Sequence, residues 1–283
     1  MRFAYCTVGM PEFTPEEAVA ALRDAGYDGI EWRVTNQAPT VEGRSGFWAG
    51  NRCTWPLATF IDDAPRIRAL TEGAGLAMPN VGTYVICDDP LAVEQALKGA
   101  AALGAPCARI NVPQYDGVSP YLPLRDRSRA QYREVAAMAR QYGVRALIET
   151  HVGNITPSAS AAAAFLEGFD PKEVGVIHDA GNMVCEGYEQ YRLGLEVLGP
   201  YLAHVHLKNA RWERTGARDD GSVEWRATFA PLRKGVADIA ALVRALRAVG
   251  YDGWISFEDF SAERPTAERI VDNLAYVKRL LAE

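Results

Sequence analysis

The amino-acid sequence predicts a closed (β/α)8 barrel, the TIM barrel, and three observations support this fold class. First, eight short apolar runs rich in β-forming residues alternate with longer helical patterns along the 283 residues. Second, "AGYDGI" (25–30) and "VGYDGW" (249–254) each end a helix and enter a strand with nearly the same turn, a faint echo of a repeating unit. Third, the alternative, an open doubly wound sheet, usually carries a glycine-rich phosphate loop after its first strand, and "CTVGMPEF" is not such a loop.

The predicted strands are short apolar runs bounded by turn residues. In chain order they are "FAYCTV" (3–8), "GIEWRV" (29–34), "LAMPNVGTY" (76–84), "CARINV" (107–112), "RALIET" (145–150), "VGVIHD" (174–179), "LAHVHLK" (202–208) and "GWISFED" (253–259). Eight strands with helical patterns between them indicate a single TIM-barrel domain over residues 1–283.

The helix after the first strand carries both start and stop signals. Thr14 is its expected N-cap, with Pro15 at the first helical position and Glu17 three residues after the cap. Gly26 is expected to end it. Similar helical patterns are "RSRAQYREVAAMARQYG", "SASAAAAFLEG", "VADIAALVRALRAVG" and "ERIVDNLAYVKRLLAE".

Two segments are too long to be plain connections, and we expect long loops at about 35–60 and 209–235. Both follow strands, so in a barrel both emerge at the C-terminal face, where active sites lie. The two segments contain Trp48, Trp55, Trp212 and Trp225. They are either surface loops with packed aromatic residues or the walls of a pocket, and their length favours the walls.

The composition excludes several classes of protein. A net charge of -6 with dispersed basic residues predicts no nucleic-acid partner. No apolar run reaches the roughly 18 residues that span a bilayer, and the N-terminus reads as a strand rather than a signal peptide, so no membrane partner is expected. The five cysteines are odd in number and form no C-x-x-C pair, which favours free thiols in a reducing cytoplasm.

Side chains alternate across a strand, so residues two apart share a face. In the seventh strand His204, His206 and Lys208 share the inward face, because the apolar residues between them pack on helices. By the same alternation, four residues take the inward face at the C-terminal ends of the fifth to eighth strands: Glu149, Asp179, His206 and Glu258. His178 takes the outward face, and we expect His178 and His204 to be core histidines.

Three carboxylates that converge without a cation would repel one another, and at least one would hold a proton. A divalent metal ion resolves this conflict. Three carboxylates and one imidazole suit manganese, our first expectation, or magnesium or cobalt; zinc is a further candidate, although structural zinc prefers thiolates. A single inward Glu or His is often only a satisfied polar group. Four such residues at matching depth on consecutive strands favour a metal site.

The motifs "LIETH", "HDAGN", "HVHLKNAR" and "ISFED", in this order and with "PLRKGVADI" before the last of them, resemble the xylose isomerase-like TIM-barrel family of sugar phosphate isomerases and epimerases. Ketose 3-epimerases, inosose dehydratase, dehydroshikimate dehydratase and apurinic-site endonucleases belong to the same wider group. The resemblance implies that Glu149, Asp179, His206 and Glu258 bind the metal. It also implies that Glu149 and Glu258 act as acid and base on the two faces of the substrate.

Two departures from the family pattern concern the substrate. Asn182 stands where the family often has a histidine, and "HVGNIT" lacks the second glutamate that ketose 3-epimerases tend to carry. Arg211 resembles a substrate-contacting arginine of the family. His151, Lys208 and Glu31 are candidate acids or substrate contacts, with a salt bridge or hydrogen bond inside the barrel mouth as the structural alternative.

These residues predict a divalent-metal-dependent isomerase or epimerase of a sugar, polyol or keto-sugar, which abstracts a proton next to a carbonyl through a metal-stabilised enediolate. The alternative is a lyase or dehydratase that acts by β-elimination on a keto-sugar, keto-inositol or cyclic keto-acid, including cleavage of a C-glycoside. A three-zinc endonuclease needs more histidines than the four present. A non-catalytic barrel is the remaining option. A homo-oligomer and a partner subunit both stay open.

Overall fold

Eight parallel strands close into a barrel in the computed structural model of the chain, which describes residues 1–40 and 43–283. The described residues form eleven strands, of which β3, β9 and β10 lie outside the closed barrel: β1 (Arg2–Cys6), β2 (Gly29–Val34), β3 (Thr54–Trp55), β4 (Val81–Thr83), β5 (Cys107–Arg109), β6 (Arg145–Glu149), β7 (Val174–Asp179), β8 (Leu202–Leu207), β9 (Asn209–Ala217), β10 (Val223–Ala230) and β11 (Trp254–Phe257). The barrel order is β1-β11-β8-β7-β6-β5-β4-β2, and the pairing of β1 with β2 closes it. The predicted TIM barrel is confirmed.

Helices connect the barrel strands and form the outer layer. They are α1 (Pro15–Ala25), α2 (Phe60–Gly73), α3 (Pro90–Leu103), α4 (Tyr121–Tyr142), α5 (Ala159–Leu166), α6 (Ala180–Cys185), α7 (Tyr191–Leu198), α8 (Ile239–Ala248) and α9 (Thr266–Ala282). A large apolar core lies between this layer and the outer face of the barrel. In the described part of the chain, no helix combines the length and apolar character that crossing a membrane requires.

The first helix has the predicted ends. The Thr14 hydroxyl accepts a hydrogen bond from the Glu17 amide at 3.2 Å, and the Glu17 carboxylate accepts one from the Thr14 amide at 2.7 Å. Gly26 ends the helix with φ of 83°, a left-handed conformation that favours glycine. Local signals were sufficient here because the capping contacts join residues at most four positions apart.

All eight predicted strands occur, but most are shorter than expected. The predictions for β2 and β7 have the observed bounds, 29–34 and 174–179. The first strand stops at Cys6, where the chain enters a 3-10 turn. The third predicted strand, 76–84, keeps only Val81–Thr83 as β4, because Pro79 has no amide hydrogen to donate to the ladder.

The two segments expected to be long loops, 35–60 and 209–235, contain β-strands. The segment 209–235 is mostly an antiparallel hairpin of β9 and β10, so the expectation of a loop there is wrong. Within 35–60, β3 pairs with β2, and the Trp55 ring packs edge to face on Trp32 at 5.9 Å. Trp55 is therefore a core residue, whereas Trp48 is half exposed at the barrel mouth. Residues 41 and 42 of this segment lie outside the described residues.

His178 lies on the outer face of β7, as predicted. It is fully buried, and its ring packs edge to face on Tyr191 of α7 at 6.5 Å. Burial lowers the pKa of His178 to about 4. The folded state therefore favours the neutral imidazole, while an unfolded chain takes up a proton near pH 6.5.

We expect replacement of His178 by leucine to reduce the acid sensitivity of the fold. Because the folded pKa lies below the unfolded one, the stability that neutral His178 provides is complete above pH 6.5 and is lost as the pH falls toward 4. The wild type should lose about 2.4 kcal/mol more free energy of unfolding than His178→Leu between pH 7 and pH 4.5. Urea unfolding of both proteins at the two pH values measures this difference, and equal losses would contradict it.

Candidate metal centre

The four predicted ligands meet at the C-terminal end of the barrel. Glu149 ends β6, Asp179 ends β7, His206 lies near the end of β8, and Glu258 follows β11. One ligand atom from each lies within 4.8 Å of the others. None of the four residues is more than 2% exposed. The register of the parallel strands accounts for the common depth, since Asp179 pairs with His206 across the β7–β8 ladder.

The imidazole of His206 stands at the centre of this group. Its Nδ1 atom lies 3.2 Å from Glu149 Oε1, 3.5 Å from Glu258 Oε2 and 3.8 Å from Asp179 Oδ2. Asp179 is also the N-cap of α6, where its Oδ1 atom accepts a hydrogen bond from the Asn182 amide at 2.8 Å. The cap fixes the carboxylate and directs Oδ2 toward His206.

The ammonium group of Lys208 lies among the same carboxylates. Its Nζ atom is 2.7 Å from Glu258 Oε2, 2.8 Å from Asp179 Oδ2 and 3.7 Å from Glu149 Oε1. The side chain is 3% exposed, so these are buried ion pairs. The convergence of carboxylate oxygens thus accommodates a cation.

Arg109, which the sequence did not single out, binds Glu149 from the other side. Its Nη1 atom lies 2.5 Å from Glu149 Oε2, and its Nε atom donates to the Thr83 carbonyl at 2.7 Å. The guanidinium also stacks on the Tyr84 ring at 4.6 Å. A signal was present, because a charged residue at the end of the short strand "CAR" faces the barrel interior more readily than the apolar helix layer.

Burial and nearby positive charge have opposite effects on the pKa values of Glu149 and Glu258. Burial raises the pKa of Glu149, but the positive charges of Arg109 and Lys208 outweigh it and hold the pKa well below its usual range. Burial also raises the pKa of Glu258, and there Lys208 and His206 outweigh it and lower the pKa to about 2. Both glutamates are therefore anionic at neutral pH.

The pKa values of Asp179 and His206 are raised instead of lowered. Burial raises the pKa of Asp179 to about 7, and the nearby Lys208 only partly opposes it. Burial lowers the pKa of His206, but the charges of Glu31 and Glu258 outweigh it and raise the pKa well above its usual range. Both shifts favour the protonated forms of Asp179 and His206, as expected where buried carboxylates outnumber fixed cations.

The donor set fits a divalent ion. The buried carboxylates of Glu149, Asp179, Glu258 and Glu31 contact only two fixed cations among the described residues, Arg109 and Lys208. Two negative charges remain, and a divalent ion would neutralise them. Three carboxylates and one imidazole are hard and borderline ligands, which suit manganese, magnesium, cobalt or zinc.

The other predicted site residues take different positions. Asn182 joins the centre, because its side-chain amide donates to Glu149 Oε1 at 3.2 Å. His151 lines the cleft above Glu149. Glu31 lies fully buried between His204 and His206 rather than in the cleft. The expectation that His204 is a core histidine agrees with this placement.

Arg211 does not reach the centre. Its guanidinium pairs with Glu213 at 2.7 Å and with Glu263 at 3.2 Å, and the side chain is 36% exposed on the hairpin. Beyond the hairpin, Arg233 pairs with Asp272 and Lys234 pairs with Glu263. The structure thus places the predicted substrate arginine on the hairpin, where it pairs with acids outside the centre.

A cleft of about 230 Å³ opens above the centre. Its lining includes Trp48, Tyr84, Arg109, Asn111, Gln114, Glu149, His151 and Asn154. Trp48 packs with Phe229 of β10 and with Phe260, at ring distances of 6.2 and 5.3 Å. The hairpin and the segment 35–60 therefore form an aromatic wall on one side of the mouth. A larger cavity of about 600 Å³ lies beside Leu202 and Gly253, where β8 and β11 begin, and is remote from the centre.

Comparisons with known proteins agree with the barrel fold. The family model of the xylose isomerase-like TIM barrel matches residues 19–280. Inosose dehydratase of Geobacillus thermodenitrificans is 27% identical over 129 residues, which cover 43% of this chain and 42% of that enzyme. Inosose dehydratase of Lacticaseibacillus casei is 23% identical over 128 residues. The chain thus matches less than half the length of these curated relatives.

Solved structures resemble the whole chain. The 3-keto-D-glucoside 4-epimerase YcjR of E. coli has a TM-score of 0.72 at 17% identity, with 99% of both chains covered. The IOLI protein with a bound zinc atom has a TM-score of 0.75 at 14% identity, with 100% of this chain and 98% of the other covered. A xylose isomerase-like TIM-barrel protein from Mycobacterium smegmatis in complex with magnesium has a TM-score of 0.70 at 18% identity, with 99% and 96% covered. At these identities the likeness shows the fold alone.

Proposed function

The chain belongs to the xylose isomerase-like TIM-barrel family, and from this premise we propose that it is a divalent-metal-dependent isomerase or epimerase of a sugar, polyol or keto-sugar. The observation that carries the proposal is the buried group of Glu149, Asp179, His206 and Glu258 beneath an open cleft. Epimerases among the similar structures and inosose dehydratases among the relatives support a small sugar-like substrate with a carbonyl group.

These four residues would hold the ion, for which manganese is our first expectation and magnesium, cobalt and zinc are the alternatives. A bound divalent ion would polarise a substrate carbonyl and stabilise the negative charge that develops when the neighbouring C–H bond breaks. The two glutamates provide the proton transfer. Arg109 fixes the position of Glu149, and Glu258 remains a carboxylate beside Lys208.

Proton transfer between substrate and carboxylate decides the product. One glutamate removes the proton next to the carbonyl and leaves an enediolate of the substrate. A group on the opposite face then returns a proton. Return to the same carbon gives an epimer, and return to the neighbouring carbon gives an isomer. The aromatic wall of Trp48, Phe229 and Phe260 excludes water from one side of the mouth and so protects the enediolate.

A lyase is the second candidate function. Two observations favour it: the segment matched by inosose dehydratase, and Asn182 in the place of the histidine that the family often has. In this case a group at the β-position of a keto-sugar, keto-inositol or cyclic keto-acid leaves from the same enediolate. Lys208 is the candidate acid that protonates the leaving group, because its ammonium contacts Glu258. A C-glycoside bond next to a keto-sugar is a further leaving group of this kind.

Deuterium incorporation tests the proposal and separates the two candidates. The protein is incubated in deuterium oxide with Mn²⁺ and a panel of ketoses, keto-inositols and 3-keto-glycosides, and a chelator removes the ion before proton NMR. Deuterium next to the carbonyl with an intact skeleton indicates an isomerase or epimerase, and loss of a group indicates a lyase. No exchange in any substrate, with and without Mn²⁺ alike, contradicts both.

A further inference from the structure

The imidazole of His206 faces carboxylates on both of its nitrogen atoms. Nδ1 faces the candidate metal centre, 3.2 Å from Glu149 Oε1. Nε2 faces away from it, 3.0 Å from Glu31 Oε1 and 3.2 Å from Glu31 Oε2. A half-turn of the ring about its Cβ–Cγ bond would direct carbon atoms at both glutamates. The contacts therefore select one ring orientation.

The Glu31 carboxylate makes polar contacts with three other side chains. It is fully buried on the inward face of β2. Its carboxylate accepts a hydrogen bond from the Asn80 amide at 2.8 Å and lies 3.0 Å from His204 Nε2. The His204 ring packs edge to face on His206 at 5.4 Å. Glu31 thus joins the strand-two side of the barrel to a side chain on β8.

We infer that Glu31 is a positioning residue for the metal centre: it accepts the Nε2 hydrogen of His206 and thereby presents the Nδ1 lone pair to the ion. This inference rests on the proposed metal site. A carboxylate that accepts the second N–H of a metal-bound imidazole fixes the tautomer and the ring orientation and makes the ligand more basic. Glu31, expected from sequence to contact substrate or act as an acid, would act through His206 instead.

A second metal ion is the competing interpretation, since Glu31, His204 and His206 also bring three ligand atoms within 4.8 Å of one another. Neutral imidazole has one lone pair on nitrogen and one N–H group. If Nδ1 of His206 binds an ion at the carboxylate group, Nε2 carries the hydrogen and cannot bind another. The geometry therefore favours one ion per chain, with Glu31 outside its ligand set.

Two measurements on the full chain test the inference. Titration with Mn²⁺, followed by the EPR signal of the free ion, should give one site per chain. In Glu31→Gln the dissociation constant should rise about 10- to 100-fold. In the ¹⁵N-labelled zinc-loaded wild type, His206 should show a protonated Nε2 and a metal-shifted Nδ1. The chain has only four histidines, so their signals can be assigned by substitution.

The outcomes are distinct. Glu173→Gln is the control for loss of a carboxylate, because Glu173 precedes β7 at the opposite end of the barrel and pairs with Arg140; it should bind Mn²⁺ like the wild type. Unchanged Mn²⁺ affinity in Glu31→Gln, or a deprotonated Nε2 in the wild type, overturns the inference alone. Two ions per chain, with one lost in Glu31→Gln, makes Glu31 a ligand. No ion bound by the wild type overturns the proposed metal site as well.

Discussion

Replacement of Glu258 by glutamine is expected to lower the rate of proton exchange into substrate by about 10³-fold or more. Removal of a general acid or base costs about 10²- to 10⁴-fold, and Glu258 is in addition a proposed ligand of the ion. Its carboxylate is 2% exposed and lies 2.7 Å from the Lys208 ammonium, so glutamine keeps the shape but removes the charge that this ammonium faces. Initial rates of deuterium incorporation at saturating Mn²⁺ measure the effect.

Glu263→Gln is the matched control. Glu263 lies five positions further along the same loop, is exposed, and pairs with Arg211 and Lys234 outside the centre. It should keep the wild-type exchange rate. Circular dichroism and thermal melting establish that both variants are folded. A Glu258→Gln variant that is folded, saturated with Mn²⁺ and retains more than about a tenth of the wild-type rate would remove Glu258 from the proton transfer.

The barrel was predictable because its signals are local and repeat along the chain. The bounds of β2 and β7 were predicted correctly; in β2 the apolar residues Ile30, Trp32 and Val34 alternate with polar ones, which is the pattern of a strand. The shorter strands were less predictable. Strand β4 begins only after Pro79, and β1 ends in a 3-10 turn whose amides bond within the turn rather than across the sheet. Strand ends depend on the neighbouring strand, which a local pattern does not contain.

The positions of the four candidate ligands were predictable for a geometric reason. Alternation places Glu149, Asp179 and His206 on one face of their strands, and parallel strands in a barrel bring their C-terminal ends to one mouth. The structure brings these residues together as expected. Their roles as ligands, acid and base remain a prediction.

The partners of these residues were not predictable. Arg109 lies 40 positions from Glu149, and Glu31 lies 175 positions from His206. These pairs form because the strands tilt and shift relative to one another around the barrel, which brings residues of different depth into contact. Strand parity indicates that a residue faces inward, but not which neighbour it meets.

The hairpin of β9 and β10 was missed in the sequence analysis for a different reason. Its sequence alternates, since "ARWERT" places Trp212 between residues of opposite charge, and a strand was readable there. The length of the segment 209–235 instead led to the prediction of a long loop. In the structure Glu213 lies opposite Arg226 and Arg214 opposite Trp225, so charged residues occupy both faces of the two-stranded sheet. Phe229 of β10 packs against Trp48 at the mouth.

Lys208 is expected to affect both ion binding and proton transfer at the candidate metal centre. Its ammonium ion pairs with Glu258 and Asp179, the same carboxylates that are proposed to bind the metal. A divalent ion and an ammonium about 4 Å apart repel by about 8 kcal/mol at an effective dielectric constant near 20. Lys208 therefore opposes ion binding while it keeps an acid beside the cleft. These two roles predict opposite effects of one substitution.

Replacement of Lys208 by methionine is expected to tighten Mn²⁺ binding at least about tenfold at pH 8 and to lower deuterium exchange at saturating Mn²⁺ by about 10²-fold. Methionine keeps the length of the chain and removes its charge. EPR titration measures the affinity, and NMR measures the exchange. Lys234→Met, which removes an exposed ammonium paired with Glu263, is the control and should change neither quantity. Weaker Mn²⁺ binding in Lys208→Met would mean that Lys208 supports the metal site by organising its carboxylates instead of competing with the ion.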